Sequence, residues 1–251
     1  MTAFPSSPQV YKDLRIALLK TVTAYLENDG RINAAWVTGS ISRGEDDHFS
    51  DIDLTLILNP SSEQDQELLS DASLGEEHRQ QFISQFGEIA NMHTTRNNVP
   101  VGGLMANTLY SNGLMVDYSL VPDENACRPA DSLLLFERAP IILGESELNF
   151  QESELKLESR IKFFFLMASV AIKYCLRRNT EKAGEILDFL CVVENELQAA
   201  ANEPLFDRRI ASKDLASIRK TVLSMVDLMA EKHPSKAVAR TTLNNLANIA
   251  N

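Results

Sequence analysis

Cysteine is scarce in this chain. Only Cys127, Cys175 and Cys191 occur, an odd number at wide spacing with no CxxC pair. That argues against a disulfide framework or a cysteine-built zinc site. Positive charge is short too: 24 lysines and arginines stand against 35 aspartates and glutamates, a formal net charge of -11, with no long basic block. A general nucleic-acid binder needs cations to displace counterions from phosphates, so that class is disfavoured. A neutral or cationic small partner suits the balance better. Long apolar runs are also missing. The most apolar stretch, FFFLMASVAI at 163–172, is bracketed by Lys162 and Lys173, far too short to cross a bilayer. The first residues, MTAFPSSPQVYKD, show no basic segment followed by an apolar core, so no secretory signal is expected and the cytoplasm is the expected compartment.

Periodicity supplies the positive evidence. SSPQVYKDLRIALLKTVTAYLENDG reads as a helix with Val10, Leu14, Leu18, Val22 and Tyr25 on one stripe. Ser6 or Ser7 suits its cap and Gly30 its stop. NAAWVTG follows as a buried strand with Trp36 in the core, SISRGED as a tight turn opening a short helix, and SDIDLTLIL as a strand ended by Pro60. Residues 61–76 are polar and read as a loop or frayed helix. EHRQQFISQFGEIA reads as an amphipathic helix with Phe82, Phe86 and Ile89 on one stripe. VGGLMANTLYSNGLMVDYSLVP has the pattern of two strands turning at SNG. From Pro122 to Gly144 no regular element is expected. Beyond about residue 150 strand signals stop and four helical patterns follow at short spacing. The fold class expected is α+β: an N-terminal domain over 1–150 with a mixed sheet flanked by helices, then an all-helical bundle over 151–251.

The chemistry concentrates in GSISRGEDDHFSDIDLTLIL, residues 39–58. A strand sends residues i and i+2 to one face, so Asp51 and Asp53 project side by side and repel unless something positive joins them. Mg²⁺, held by one or two carboxylates together with substrate phosphates, meets that need. Gly39 and Ser40 form a turn whose backbone can approach a phosphate and whose N–H groups and hydroxyl can donate to it. Asp117 lies in the apolar strand LMVDYSLV, where a carboxylate costs several kcal/mol unless paired or bound to metal. If that strand neighbours the first, Asp117 is a third metal ligand or a general base for an acceptor hydroxyl. An EF-hand reading of DDHFSDID fails, because the glycine and closing glutamate are misplaced. Arg43 suits a phosphate or open solvent equally. Lys173, Tyr174 and Arg177 form a polar edge that can face a cleft. His48, Glu88, His93 and Arg96 read as surface residues, the last two near a sheet edge.

GSISRGEDDHFSDIDL resembles the signature of the nucleotidyltransferase superfamily that includes DNA polymerase beta, and most of all its small bacterial branch, where GSxARGxxxxxSDIDL is typical; Ser42 stands where alanine is usual. The resemblance is strong over about residues 30–60 and loose over 100–122. With the appended helices it extends to the antibiotic nucleotidyltransferases that modify aminoglycosides or lincosamides. It implies Gly39, Ser40 and Arg43 at the nucleotide phosphates, Asp51 and Asp53 on Mg²⁺, and Asp117 as third carboxylate. It also implies transfer of a nucleoside monophosphate, AMP from ATP first among the options, to a hydroxyl of a small molecule, with release of pyrophosphate. The branch also contains antitoxin-like enzymes that modify a protein or tRNA, and an inactive nucleotide-binding module is a further alternative. Those antitoxin-like enzymes often act beside a helical RNase carrying R-x4-6-H. His233, the only C-terminal histidine, has no arginine at that spacing, so the helical part does not read as such a partner. Oligomeric state has no sequence signal.

Overall fold

The computed structural model describes residues 4–59, 67–70, 73–150, 156–200 and 214–249. The expected stop at Pro60 and half of the expected 61–76 loop lie outside them.

Helix α1 (Pro8–Leu26) starts where expected: the Ser7 side chain accepts from the Val10 N–H, and Pro8 sits at the first position, where no N–H partner is needed. Its buried face is offset from the apolar stripe. Tyr11, Arg15, Val22 and Leu26 are buried, while Val10 is exposed. Tyr11 and Arg15 are drawn in by polar anchors: the Tyr11 hydroxyl donates to the Gly113 carbonyl, and Arg15 donates to the Asp47 and Ser50 carbonyls. A count of apolar residues cannot register such anchors. The helix ends at Leu26, short of Gly30.

The strands are β1 (Ile32–Thr38), β2 (Ile52–Leu58), β3 (Ile89–Thr95), β4 (Val99–Pro100), β5 (Leu104–Tyr110), β6 (Met115–Pro122), β7 (Cys127–Arg128), β8 (Leu133–Glu137), β9 (Ile142–Leu143) and β10 (Leu148–Asn149). Six of them form one mixed sheet in the order β3-β5-β6-β2-β1-β8, with β2 and β6 parallel and the other neighbours antiparallel. Between β1 and β2 lies the one-turn helix α2 (Gly39–Ser42); between β2 and β3 lies α3 (Ser73–Ser84). β5 and β6 turn at SNG as expected, with Gly113 at φ +85°.

Two expectations need correction. The amphipathic helix stops at Ser84, so Phe86 lies in a turn and Ile89 opens β3. β3 is an edge strand rich in polar residues (Asn91, His93, Thr94, Thr95), which hides its alternation. The stretch expected to be irregular contributes β8, which pairs with β1 at the opposite edge. Its consecutive leucines do not alternate, and pairing with β1 makes them a strand.

The β2 alternation holds. Ile52, Leu54, Leu56 and Leu58 join the main core, while Ile57 joins Ala34, Trp36 and Val121 in a small cluster on the other face. A chain of aromatic contacts, Tyr25 to Phe86, Phe82 to Phe86 and Phe86 to Tyr118, fastens α1 and α3 to the first face.

Among the described residues the C-terminal part holds four α-helices: α4 (Leu157–Leu176), α5 (Thr180–Ala200), α6 (Leu215–Lys232) and α7 (Ala237–Ala247). α4 is the hub. It packs against α5, α6 and α7 and also against β3 and β5. That explains the apolar run at 163–172: Phe164, Phe165, Ala168, Ala171 and Ile172 are all fully buried, a helix enclosed on several sides rather than one. Among the described residues no helix is long and apolar enough to cross a membrane.

Candidate active site

The site begins where β1 ends. Thr38 pairs with Asp53 across β1 and β2, and the chain then turns through Gly39 at φ +71°. A Cβ built on Gly39 would stand 2.0 Å from Asp53 Oδ2. Glycine is therefore required twice, for the left-handed backbone and for the close approach to a carboxylate. Ser40 follows in α2, which is a single turn, so the partial charge of a helix start is small here.

The three aspartates are brought together by register. β2 and β6 run parallel with Asp53 opposite Asp117, and Asp51 lies two residues before Asp53 on the same face. Registered pairs continue the row in both directions. Thr38, Asp53, Asp117, Asn107 and His93 line up across five strands. Asp117 is half-buried, but its Oδ1 is enclosed and has no hydrogen-bond partner. Burial, reinforced by the charge of Asp51, pushes the Asp117 carboxyl up to about 7. The same two causes lift Asp53 to about 6. Among the described residues no three His, Cys, Asp or Glu side chains form a ready metal cage. The row is adjacent and charge-crowded, and Asp51 is already engaged by a cation.

That cation is Lys173. It donates to Asp51 Oδ1 from the last turn of α4 and is 1% exposed. Burial works against its charge, but the Asp51 carboxylate and the Tyr11 hydroxyl together leave the ammonium above the usual lysine range. α4 reaches this point by crossing the row's face of the sheet. The Phe163 ring lies 5.1 Å from the His93 ring on β3, Ser169 donates to the Met115 sulfur on β6 at 2.9 Å, and Lys173 meets Asp51 at the head of β2. One turn further, Arg177 donates to the Phe49 carbonyl and pairs with Asp47, each at 2.8 Å. From α1, buried Arg15 donates to the Asp47 and Ser50 carbonyls at 2.8 and 2.9 Å and pairs with Asp46. With Lys12 of α1, which also pairs with Asp46 at 3.1 Å, four cations from α1 and the end of α4 hold the segment leading into Asp51.

Of the residues singled out by sequence, Gly39, Asp51, Asp53 and Asp117 converge. Arg43 is exposed and paired with Glu45 at 2.8 Å, on the rim. Lys173 and Arg177 reach the site, while Tyr174 lies under the Arg177 guanidinium at 5.2 Å. His48 and Glu88 are exposed, as expected. The surface reading of His93 is corrected, while Arg96 is half-exposed. His93 is 2% exposed, and burial pushes it down to about 4. Arg96 donates to the Gly103 carbonyl at 3.0 Å, bracing β5 from β3. Arg15 was not anticipated; an arginine inside an apolar helical stripe was its one signal. A groove of about 410 Å³ between α1 and the β5–β6 turn, lined by Leu14, Leu18, Phe86 and Asn112, includes Glu88 but none of the converging aspartates, Gly39 or the cations that reach them.

Residues 20–96 match the model of the family described as Polymerase beta, Nucleotidyltransferase. That stretch, under a third of the chain, is similar to a nucleotidyltransferase domain, and the match supports a transferase. The matched stretch includes the glycine turn, Asp51 and Asp53. No curated protein matches the sequence. Among solved structures, an aminoglycoside 6-adenyltransferase from Bacillus subtilis aligns at 12% identity over 98% of this chain and 93% of that one, with a TM-score of 0.29. A STING-associated CdnE c-di-GMP synthase from Capnocytophaga granulosa aligns at 18% identity over 91% of this chain and 83% of that one, with a TM-score of 0.30. Neither alignment, at this distance, bears on substrate or mechanism.

Proposed function

We propose that the nucleotidyltransferase-type domain makes this chain a Mg²⁺-dependent enzyme that transfers a nucleoside monophosphate, AMP from ATP first, to a hydroxyl of a small cationic acceptor, releasing pyrophosphate. The observation that carries the reading is the registered pair Asp53 and Asp117 on parallel strands, with the Gly39 backbone against Asp53. The donor set fits a divalent cation: three carboxylates on one face, one oxygen enclosed without a partner, and two carboxyls lifted by burial and then by the charge of Asp51. Asp51, Asp53 and Asp117 would hold Mg²⁺, which when bound neutralises phosphate charge in such a transfer.

The chain's own residues do the rest. The turn at Gly39 and Ser40 offers backbone and hydroxyl donors to phosphate, with room guaranteed by the missing Cβ. Arg43, on the rim and paired with Glu45, supplies a positive charge near the phosphates. Asp117, lifted towards neutrality, is suited to accept the acceptor's proton if it does not serve the metal. The helical part, residues 151–251, forms the other wall beside the catalytic domain, residues 1–150, and selects the acceptor. A net charge of -11 favours a cationic one, such as an aminoglycoside. Three free cysteines suit a cytoplasmic setting.

The test is a pyrophosphate-release screen of cationic hydroxylated compounds with each NTP and Mg²⁺, repeated with Asp53→Asn. Acceptor-dependent release that the variant loses while remaining folded supports the reading. Full turnover in Asp53→Asn overturns it.

A further inference from the structure

We infer that Lys173 is a resident counter-ion of the carboxylate site, and that a divalent cation entering at Asp51 and Asp53 displaces it, so that occupancy of the site is coupled to the seating of α4. This rests on the metal reading above and adds to it a competitor already inside the protein.

The geometry carries the argument. The Lys173 ammonium is buried between two groups. It donates to Asp51 Oδ1, lies 5.6 Å above the Tyr11 ring, and is 1% exposed. The Tyr11 ring cannot swing away, because its hydroxyl donates to the Gly113 carbonyl at 2.8 Å. Asp51 differs: a quarter of its side chain is exposed, so it faces the ammonium on one side and solvent on the other. An ammonium and a divalent ion cannot both sit at contact distance on one carboxylate without strong mutual repulsion. The doubly charged ion has the advantage of sharing Asp51 with Asp53, while Lys173 is left to find another anion along its flexible stem. Stranding a buried ammonium is costly, so metal alone should bind weakly in the wild type. The coupling follows from position. Lys173 and Arg177 are one turn apart on α4, and together they hold Asp47, Phe49 and Asp51. Releasing Lys173 removes one of those ties and leaves the end of α4 held by Arg177.

The experiment is a Mn²⁺ titration of the full chain, read by the loss of the free-ion EPR signal, on wild type, Lys173→Met and Asp53→Asn. Removing the competing unit charge is expected to tighten Mn²⁺ binding by about tenfold, while Asp53→Asn weakens it. A second measurement uses the wild type and so survives misfolding of the variant. NMR of lysine ammonium groups should show a protected signal that moves as Mg²⁺ fills the site. Mn²⁺ binding that needs Asp53 but is unchanged or weaker in Lys173→Met overturns the inference and leaves the metal reading standing. An ammonium signal that stays fixed at saturating Mg²⁺ does the same. No Mn²⁺ binding in any form removes the metal reading, and this inference with it.

Discussion

Replacing Asp117 with asparagine should stabilise the metal-free protein at neutral pH while abolishing turnover. The carboxyl is lifted from 3.8 to about 7, first by burial and then by the charge of Asp51. A lift of that size corresponds to ~4 kcal/mol against the charged form. The side chain keeps partial exposure, so solvent screening reduces the working figure to about 2 kcal/mol. The sign follows from proton counts. Between about pH 4 and pH 7 the folded state binds the Asp117 proton and the unfolded state does not, so wild-type stability falls as pH rises through that window. Asparagine has the same shape and no such dependence. The variant should therefore match wild type near pH 4 and exceed it near pH 8, by about 4–8 °C in melting temperature for a chain of this size. Thermal unfolding with a chelator present, at several pH values, measures this directly, and saturating Mg²⁺ should narrow the gap by stabilising only the wild type. A variant no more stable than wild type near pH 8 would refute the reasoning, as would an equal gain at both ends of the range.

Other predictions follow from single contacts. Gly39→Ala forces a Cβ against Asp53 Oδ2 at a positive φ. It should cost on the order of 1–3 kcal/mol and reduce pyrophosphate release by roughly a hundredfold through the displaced carboxylate; unfolding and turnover assays on one preparation check both. Arg15→Met removes the donor to the Asp47 and Ser50 carbonyls and the partner of Asp46, with an expected loss of ~3 kcal/mol in denaturant unfolding. His93 is held at about 4 by burial, below its unfolded value of 6.5. The unfolded state then binds the extra proton, so wild type loses stability as pH falls through that window. Relative to His93→Leu the loss should reach about 3 kcal/mol; a pH-independent difference between the two proteins would count against the buried neutral histidine.

Much was determined locally and was legible in the amino-acid order. Alternation placed Ile52, Leu54, Leu56 and Leu58 on one face and Asp53 and Ile57 on the other, because the period of two is a property of the strand itself. The Ser7 cap, the SNG turn and the four C-terminal helices were local in the same sense. Local patterns failed at the edges of the sheet, where polar β3 and leucine-rich β8 are strands only through their neighbours. They also failed at Tyr11 and Arg15, which are buried for their polar partners. The site divides along the same line. Gly39, Asp51 and Asp53 lie close enough in the chain for strand geometry to bring them together. The parallel pairing that sets Asp117 beside Asp53 and the docking of α4 that carries Lys173 across 122 positions to Asp51 depend on how the layers pack. The chain order marks Asp117 and Lys173 as candidates but fixes neither partner, because the free energy of each contact exists only once the sheet and helix have met.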